Sequence, residues 1–74
     1  MNLVSCVAEF LENERGKGFC DICVTEWVQV NARIDAKLSD INRAAWTLAE
    51  SLDFGRLLGK CSLCKQVKVT TRVR

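Results

Sequence analysis

Near the start of the chain, Leu3, Cys6, Val7, Phe10 and Leu11 fall on one side of a helix spanning residues 3–14, with Glu9, Glu12 and Glu14 turned outward. The run Arg15-Gly16-Lys17-Gly18 ends that helix: glycine permits the reversal and basic residues suit a helix C-terminus. Residues 20–30 predict a second, short helix whose buried side is Ile22, Trp27, Val28 and Val30. Asp21 sits in its first turn, where a carboxylate suits the positive end of the helix dipole. The longest periodic signal is Ile34, Leu38, Ile41, Ala45, Leu48 and Leu52, spaced alternately by four and three residues. It predicts a third helix of about five turns over 32–52, with Asn31 as its N-cap. Ser39-Asp40 offers an alternative start after a break. Beyond Gly55 the pattern changes: Leu57, Leu58, Val67, Val69, Thr70, Thr71 and Val73 favour strands, and Gln66-Val67-Lys68-Val69 alternates with period two. Residues 55–73 therefore predict a β-hairpin.

The chain has 74 residues, enough for a single domain over 1–74. A domain this small buries only about 60% of its unfolded surface and commonly needs a staple. No run approaches the roughly 20 apolar residues of a membrane span. The N-terminus lacks a basic region and turns acidic at once, unlike a secretory leader, so a cytoplasmic protein with reduced thiols is expected.

Five cysteines are the chemically distinctive residues. Cys20 and Cys23 form one CxxC unit (FCDIC), and Cys61 and Cys64 form another (GKCSLCK) at the tip of the predicted hairpin. Each unit supplies two sulfurs from one tight turn, and two units complete a closed four-thiolate site for one structural Zn²⁺. The chain contains no histidine, which removes mixed-ligand alternatives, whereas iron is compatible with the same four ligands. Residues 24–60 separate the units, 37 in all, against about 15–20 in a simple zinc ribbon. The helices between must therefore fold back. Lys65 follows the last cysteine, where such turns often prefer glycine. Cys6, alone on the apolar side of the first helix, reads as a small core residue. An odd cysteine count with no leader argues against disulfides. No histidine, no catalytic triad and no open metal position point to a protein that is not an enzyme.

Charge divides unevenly. Residues 1–53 carry five basic and nine acidic side chains, a net −4, and residues 54–74 carry six basic ones and no acid. The basic tail suggests an anionic partner. Four thiolates on one Zn²⁺ add −2, however, which cancels the formal +2 and leaves only a local patch.

Three helices followed by a hairpin resemble a winged helix-turn-helix domain. The pattern is similar to that of small bacterial helix-turn-helix-like proteins with one CxxC opening the second helix and another at the wing tip. In that resemblance Val30-Asn31 occupies the turn, although Gln29 stands where glycine is common, 32–52 is the recognition-type helix, and GRLLGKCSLCKQVKVTTRV is the wing. The implied fold is mainly α with a small β-hairpin, stapled by a Cys₄ zinc site. The implied function is DNA binding and transcription regulation. The third helix would present Ala36, Arg43 and Thr47, flanked by Arg33 and Lys37, to the major groove, and Lys60, Lys65 and Lys68 would meet phosphates. A single module this small offers limited contact area, so a homodimer is expected on DNA.

The alternative is a zinc-stabilised protein-interaction module. Trp46 lies about 120° from the centre of the apolar seam. It must pack under the hairpin, under the first helix or against another chain, whereas Trp27 reads as plain core.

Overall fold

A computed structural model describes residues 2–74. The element order is α1 (Leu3–Asn13), β1 (Phe19–Cys20), α2 (Asp21–Trp27), a π-helical turn (Val28–Ala32), α3 (Leu38–Ala49), β2 (Phe54–Lys60) and β3 (Val67–Val73). Three helices thus accompany one antiparallel sheet in the order β1-β3-β2.

Helix α1 forms as the apolar spacing requires. The Asn2 side chain accepts a hydrogen bond from the Ser5 N–H at 2.8 Å, satisfying one of the free donors at the helix start. Cys6, Val7, Phe10 and Leu11 are buried, so Cys6 is the core residue expected. The exit runs through Gly16, whose φ of +89° lies where a side chain would be strained.

The chain then contributes an unanticipated strand. Phe19 and Cys20 pair with Thr71 and Thr70 of β3. Gly18 permits this approach, since a Cβ there would meet the Thr70 Oγ1 at 2.8 Å.

Helix α2 turns a different side inward from the one its apolar residues suggest. Cys23, Val24 and Val28 are buried, whereas Ile22 and Val30 are exposed. Pointing Cys23 at the other cysteines orients the helix and rotates Ile22, one residue back, by about 100° toward solvent. Trp27 is partly buried and packs against the core, stacked on Phe10 with ring centroids 4.4 Å apart, and Phe10 also meets Phe19 at 4.8 Å.

The third helix begins at Leu38, not residue 32, close to the alternative start at Ser39-Asp40. The π-helical turn ends at Arg33, which adopts the left-handed conformation with φ 56°. Ala36 then plugs the core at 3% exposure instead of facing out from a recognition helix. Its carbonyl accepts from the Gln29 side chain at 2.7 Å, and its N–H donates to the Ile34 carbonyl at 2.9 Å. Asn31 does not cap α3; it lies in the π-helical turn and donates to the Trp27 carbonyl at 3.2 Å. Asp40 does the capping, its carboxylate accepting the Lys37 N–H at 3.1 Å, which is the return half of a capping box. Lysine has no acceptor with which to complete the other half. Ile41, Ala45 and Leu48 of the predicted seam are buried, but Leu52 lies past the helix end and is exposed.

The hairpin matches its prediction to within one residue, running from Phe54↔Val73 to Lys60↔Val67. Val7, Leu11, Val24, Val28 and Ile41 form the fully buried centre where the helices meet, with Phe54 and Val73 closing it from the sheet.

Moving the start of α3 has a measurable consequence. Asp40→Ala should lower stability by about 1 kcal/mol, the usual value of a lost cap, while Asn31→Ala should change it by no more than a few tenths. Urea unfolding of the two variants tests this; the reverse ranking would restore the longer helix.

Candidate metal centre

Cys20 is the N-cap of α2 and Cys23 sits in its first turn; Cys61 and Cys64 occupy the turn joining β2 to β3. The antiparallel β1–β3 pair helps to close the 37-residue gap, since it sets Cys20 beside Thr70, three residues along β3 from the turn. All four Sγ atoms lie within 4.8 Å of one another. The Cys20–Cys64 sulfur separation is 3.8 Å. A regular tetrahedron of thiolates bonded at about 2.3 Å has an edge of about 3.8 Å. The Cys20–Cys64 pair matches it and the other separations extend to at most 4.8 Å, which makes the four sulfurs a candidate metal site. The separation is far from the roughly 2.05 Å of a disulfide, and all five cysteines are free. Cys6 lies in the helical core and belongs to a separate cluster of buried residues.

Backbone donors prepare the site. The Cys20 N–H points at the Cys61 sulfur at 3.4 Å. The Cys61 N–H donates to the Gln66 carbonyl at 2.9 Å and the Lys65 N–H to the Cys61 carbonyl at 3.0 Å, which winds the turn tightly. That winding places Lys65 at φ 66°, the left-handed conformation for which glycine is the common choice. The Ser62 N–H reaches across to the Gly18 carbonyl at 2.9 Å, tying the turn to the approach of β1.

The thiols are electrostatically unequal. Burial alone would raise the Cys61 pKa, but the N–H groups of Cys20, Cys64 and Leu63 outweigh it and bring the thiol down to about 6. Burial raises Cys20 and Cys23, and neighbouring thiols raise Cys23 further. Metal binding must therefore displace protons from the cluster. For Cys6, burial and then the Glu9 carboxylate also raise the pKa, as for an inert core thiol.

Beside the sulfurs lies an ion pair that sequence reading missed. Asp21, between the first two cysteines, holds Arg56 of β2 in a bidentate grip at 2.8 and 3.1 Å. The Arg56 and Asp21 side chains are 3% and 16% exposed. Thr71 accepts from the same guanidinium at 2.7 Å, and Asn42 of α3 donates to Asp21 at 3.0 Å. The guanidinium carbon stands 4.7 Å from the centroid of Trp46, so Trp46 packs on the hairpin with 53% of its surface open. A signal was available: Arg56 shares a strand face with the apolar Phe54, and an inward arginine requires an acidic partner.

The residues expected to touch DNA separate into groups. Arg43 and Lys68 line one open groove of about 860 Å³ between α2, α3 and β3, together with Ile22, Leu38 and Trp46. Lys60 and Lys65 flank the metal turn on the same hairpin. Lys37 precedes α3, and Arg33 lies in a different depression with Gln29, Ile34 and Asp35.

Comparison with known proteins gave no match: no family model, curated protein or solved structure is significantly similar to this chain. No described helix is long and apolar enough to cross a membrane.

Two substitutions probe the centre from opposite directions. Lys65→Gly should stabilise the metal-loaded protein by about 1 kcal/mol, because the left-handed conformation costs a side-chain-bearing residue about that much. Asp21→Asn should destabilise it by about 3 kcal/mol, since it leaves Arg56 buried without its counter-charge. Denaturant midpoints measure both, and an unchanged midpoint for Asp21→Asn would mean that the ion pair is dispensable.

Proposed function

We propose that the four cysteines hold one structural Zn²⁺ that staples a winged-helix domain, and that the domain binds duplex DNA. The observation that carries this reading is connectivity. Helix, short strand, two helices and a hairpin, with sheet order β1-β3-β2, is the arrangement expected of a winged helix, with α3 as recognition-type helix and β2–β3 as wing. Four sulfurs and no imidazole suit zinc, and four protein ligands leave no vacant position for substrate, so the metal's role is to hold the fold. On this reading Arg43 and Lys37, with Thr47, face the groove of the duplex, while Lys60, Lys65 and Lys68 meet its phosphates. Arg33, at the far end of the 33–37 segment, is the least favourably placed of the six. The protein belongs to no reaction; its proposed role is regulatory, in the cytoplasm.

A second reading, contact with another protein, is favoured by one specific observation. Trp46 stands at the middle of the outward side of α3, half exposed among other apolar side chains. A helix devoted to reading DNA gains little from that.

Metal analysis should give one zinc per chain, and a chelator should unfold the domain, because site formation and folding are coupled. On immobilised random duplex DNA the zinc-loaded protein should be retained at low salt and released as salt rises. Arg43→Ala with Lys68→Ala should weaken that retention about tenfold, roughly the effect of losing two phosphate or base contacts. Unchanged retention in the double variant would remove the α3–hairpin surface from consideration.

A further inference from the structure

We infer that the groove between α2, α3 and β3 is a docking site for an amphipathic segment of another protein, one carrying apolar anchors and carboxylates. This rests on and deepens the protein-contact reading, and it competes with the duplex-DNA reading for Arg43 and Lys68. The groove's floor is apolar and drawn from three elements: Ile22 from α2, Leu38 and Trp46 from α3, and Val69 from β3. Each of the four is about half exposed, and all line the same groove. Isolated apolar side chains on a surface are ordinary; a contiguous patch is the feature that marks an interaction site. The volume, about 860 Å³, falls within the range of formed binding clefts.

Charge determines the chemistry of the occupant. Arg43 and Lys68 line the groove, and neither makes an ion pair among the described residues. The groove's one carboxylate, Asp21, is already occupied by Arg56 and Asn42, and Cys20, which also lines it, is turned into the four-sulfur cluster. A ligand therefore meets two unneutralised cations beside an apolar floor. Duplex DNA could use the cations, but its phosphates offer no apolar surface with which to cover Trp46, Ile22, Leu38 and Val69. A helix with large apolar residues at i, i+3 or i+4, and i+7 does, and glutamates beside those anchors reach Arg43 and Lys68. Most of this chain's other exposed apolar side chains, Leu57, Leu58, Leu63 and Val67, lie on the hairpin with Lys60 and Lys65, so a second copy would bring cations rather than carboxylates to Arg43 and Lys68.

The groove is also preorganised. Arg56 lies against the Trp46 ring, is clamped by Asp21, and Asp21 sits between two metal ligands. The aromatic anchor site is therefore held in place before a partner arrives, which lowers the ordering cost of binding.

The test is a titration of the isotope-labelled, zinc-loaded chain with two synthetic 14-residue helical peptides. Both carry Leu and Phe along one face; one carries Glu at the remaining positions and the other Lys. The indole N–H of Trp46, identified by its loss in Trp46→Phe, reports on the groove. The Glu peptide should shift this signal and bind at least tenfold more tightly than the Lys peptide. Arg43→Glu with Lys68→Glu should reverse the preference, and Trp46→Ala should weaken binding about tenfold. Equal affinity for the two peptides, or a Trp46 signal that the Glu peptide does not move, overturns the proposal. Random duplex DNA titrated in parallel separates the two readings. A Trp46 response to DNA with both peptides silent overturns the peptide groove, whereas a peptide response without DNA binding sustains it and removes the DNA reading.

Discussion

Everything in this fold depends on a closure across 37 residues: two pairs of sulfurs, one opening a helix and one ending a hairpin, must meet within 4.8 Å. The backbone performs most of that closure with very little material. Two residues of β1 pair with β3, and Ser62 of the hairpin turn bonds back to Gly18. Neither contact would hold the ends together alone, because an isolated two-residue ladder cannot offset the chain entropy of closing such a loop. A metal bound by four thiolates contributes on the order of 10 kcal/mol to folding, comparable to the whole net stability of a small domain. The β1–β3 pair aligns the two units, and a metal held by the sulfur cluster would add stability to that of the separate hydrophobic core.

The Asp21–Arg56 pair has a different role. Burying two charges costs several kcal/mol, and their attraction only roughly offsets it, so the pair need not add stability. It selects an arrangement. Arg56 can satisfy its guanidinium only with α2 and the hairpin in register, and Asp21 can be saturated only with Asn42 of α3 also present. One buried arginine therefore senses three elements at once. The cost is visible in its Nε, which is buried without a partner.

How much of this was legible in the sequence follows from the range of each interaction. The two CxxC units, helix α1 and the hairpin were readable because their signals are local: a CxxC spacing, a 3.6-residue period and a run of β-branched residues. The hairpin's metal turn even announced its strain, since Lys65 stands where glycine is usual and adopts φ 66°. What escaped was set by tertiary structure. Strand β1 is two residues long, too short to show alternation. The rotation of α2 is determined by where Cys23 must point, which overrides the apolar count that favoured Ile22 and Val30. The break at 33–37 interrupts an unbroken apolar seam because Ala36 fills the core in a non-helical conformation, held by Gln29 from the preceding turn. Periodicity cannot register a segment that is buried for such a reason.

The same pair changes how the chain's charge should be read. Residues 54–74 contain six cations and no acid, which by composition alone resembles a tail made for phosphate. Arg56 is not available to it; the side chain is 3% exposed and spends its charge on Asp21. Arg74 folds back too, donating through Nε to the Phe54 carbonyl at 2.8 Å. Of the remaining cations, Lys68 shares its groove with Arg43 and four apolar side chains, Lys60 and Lys65 flank the cysteine turn, and Arg72 is exposed on β3. Such a surface offers less to a bare phosphate backbone than the tally of lysines and arginines implies. It offers more to a ligand that brings apolar area along with its negative charge.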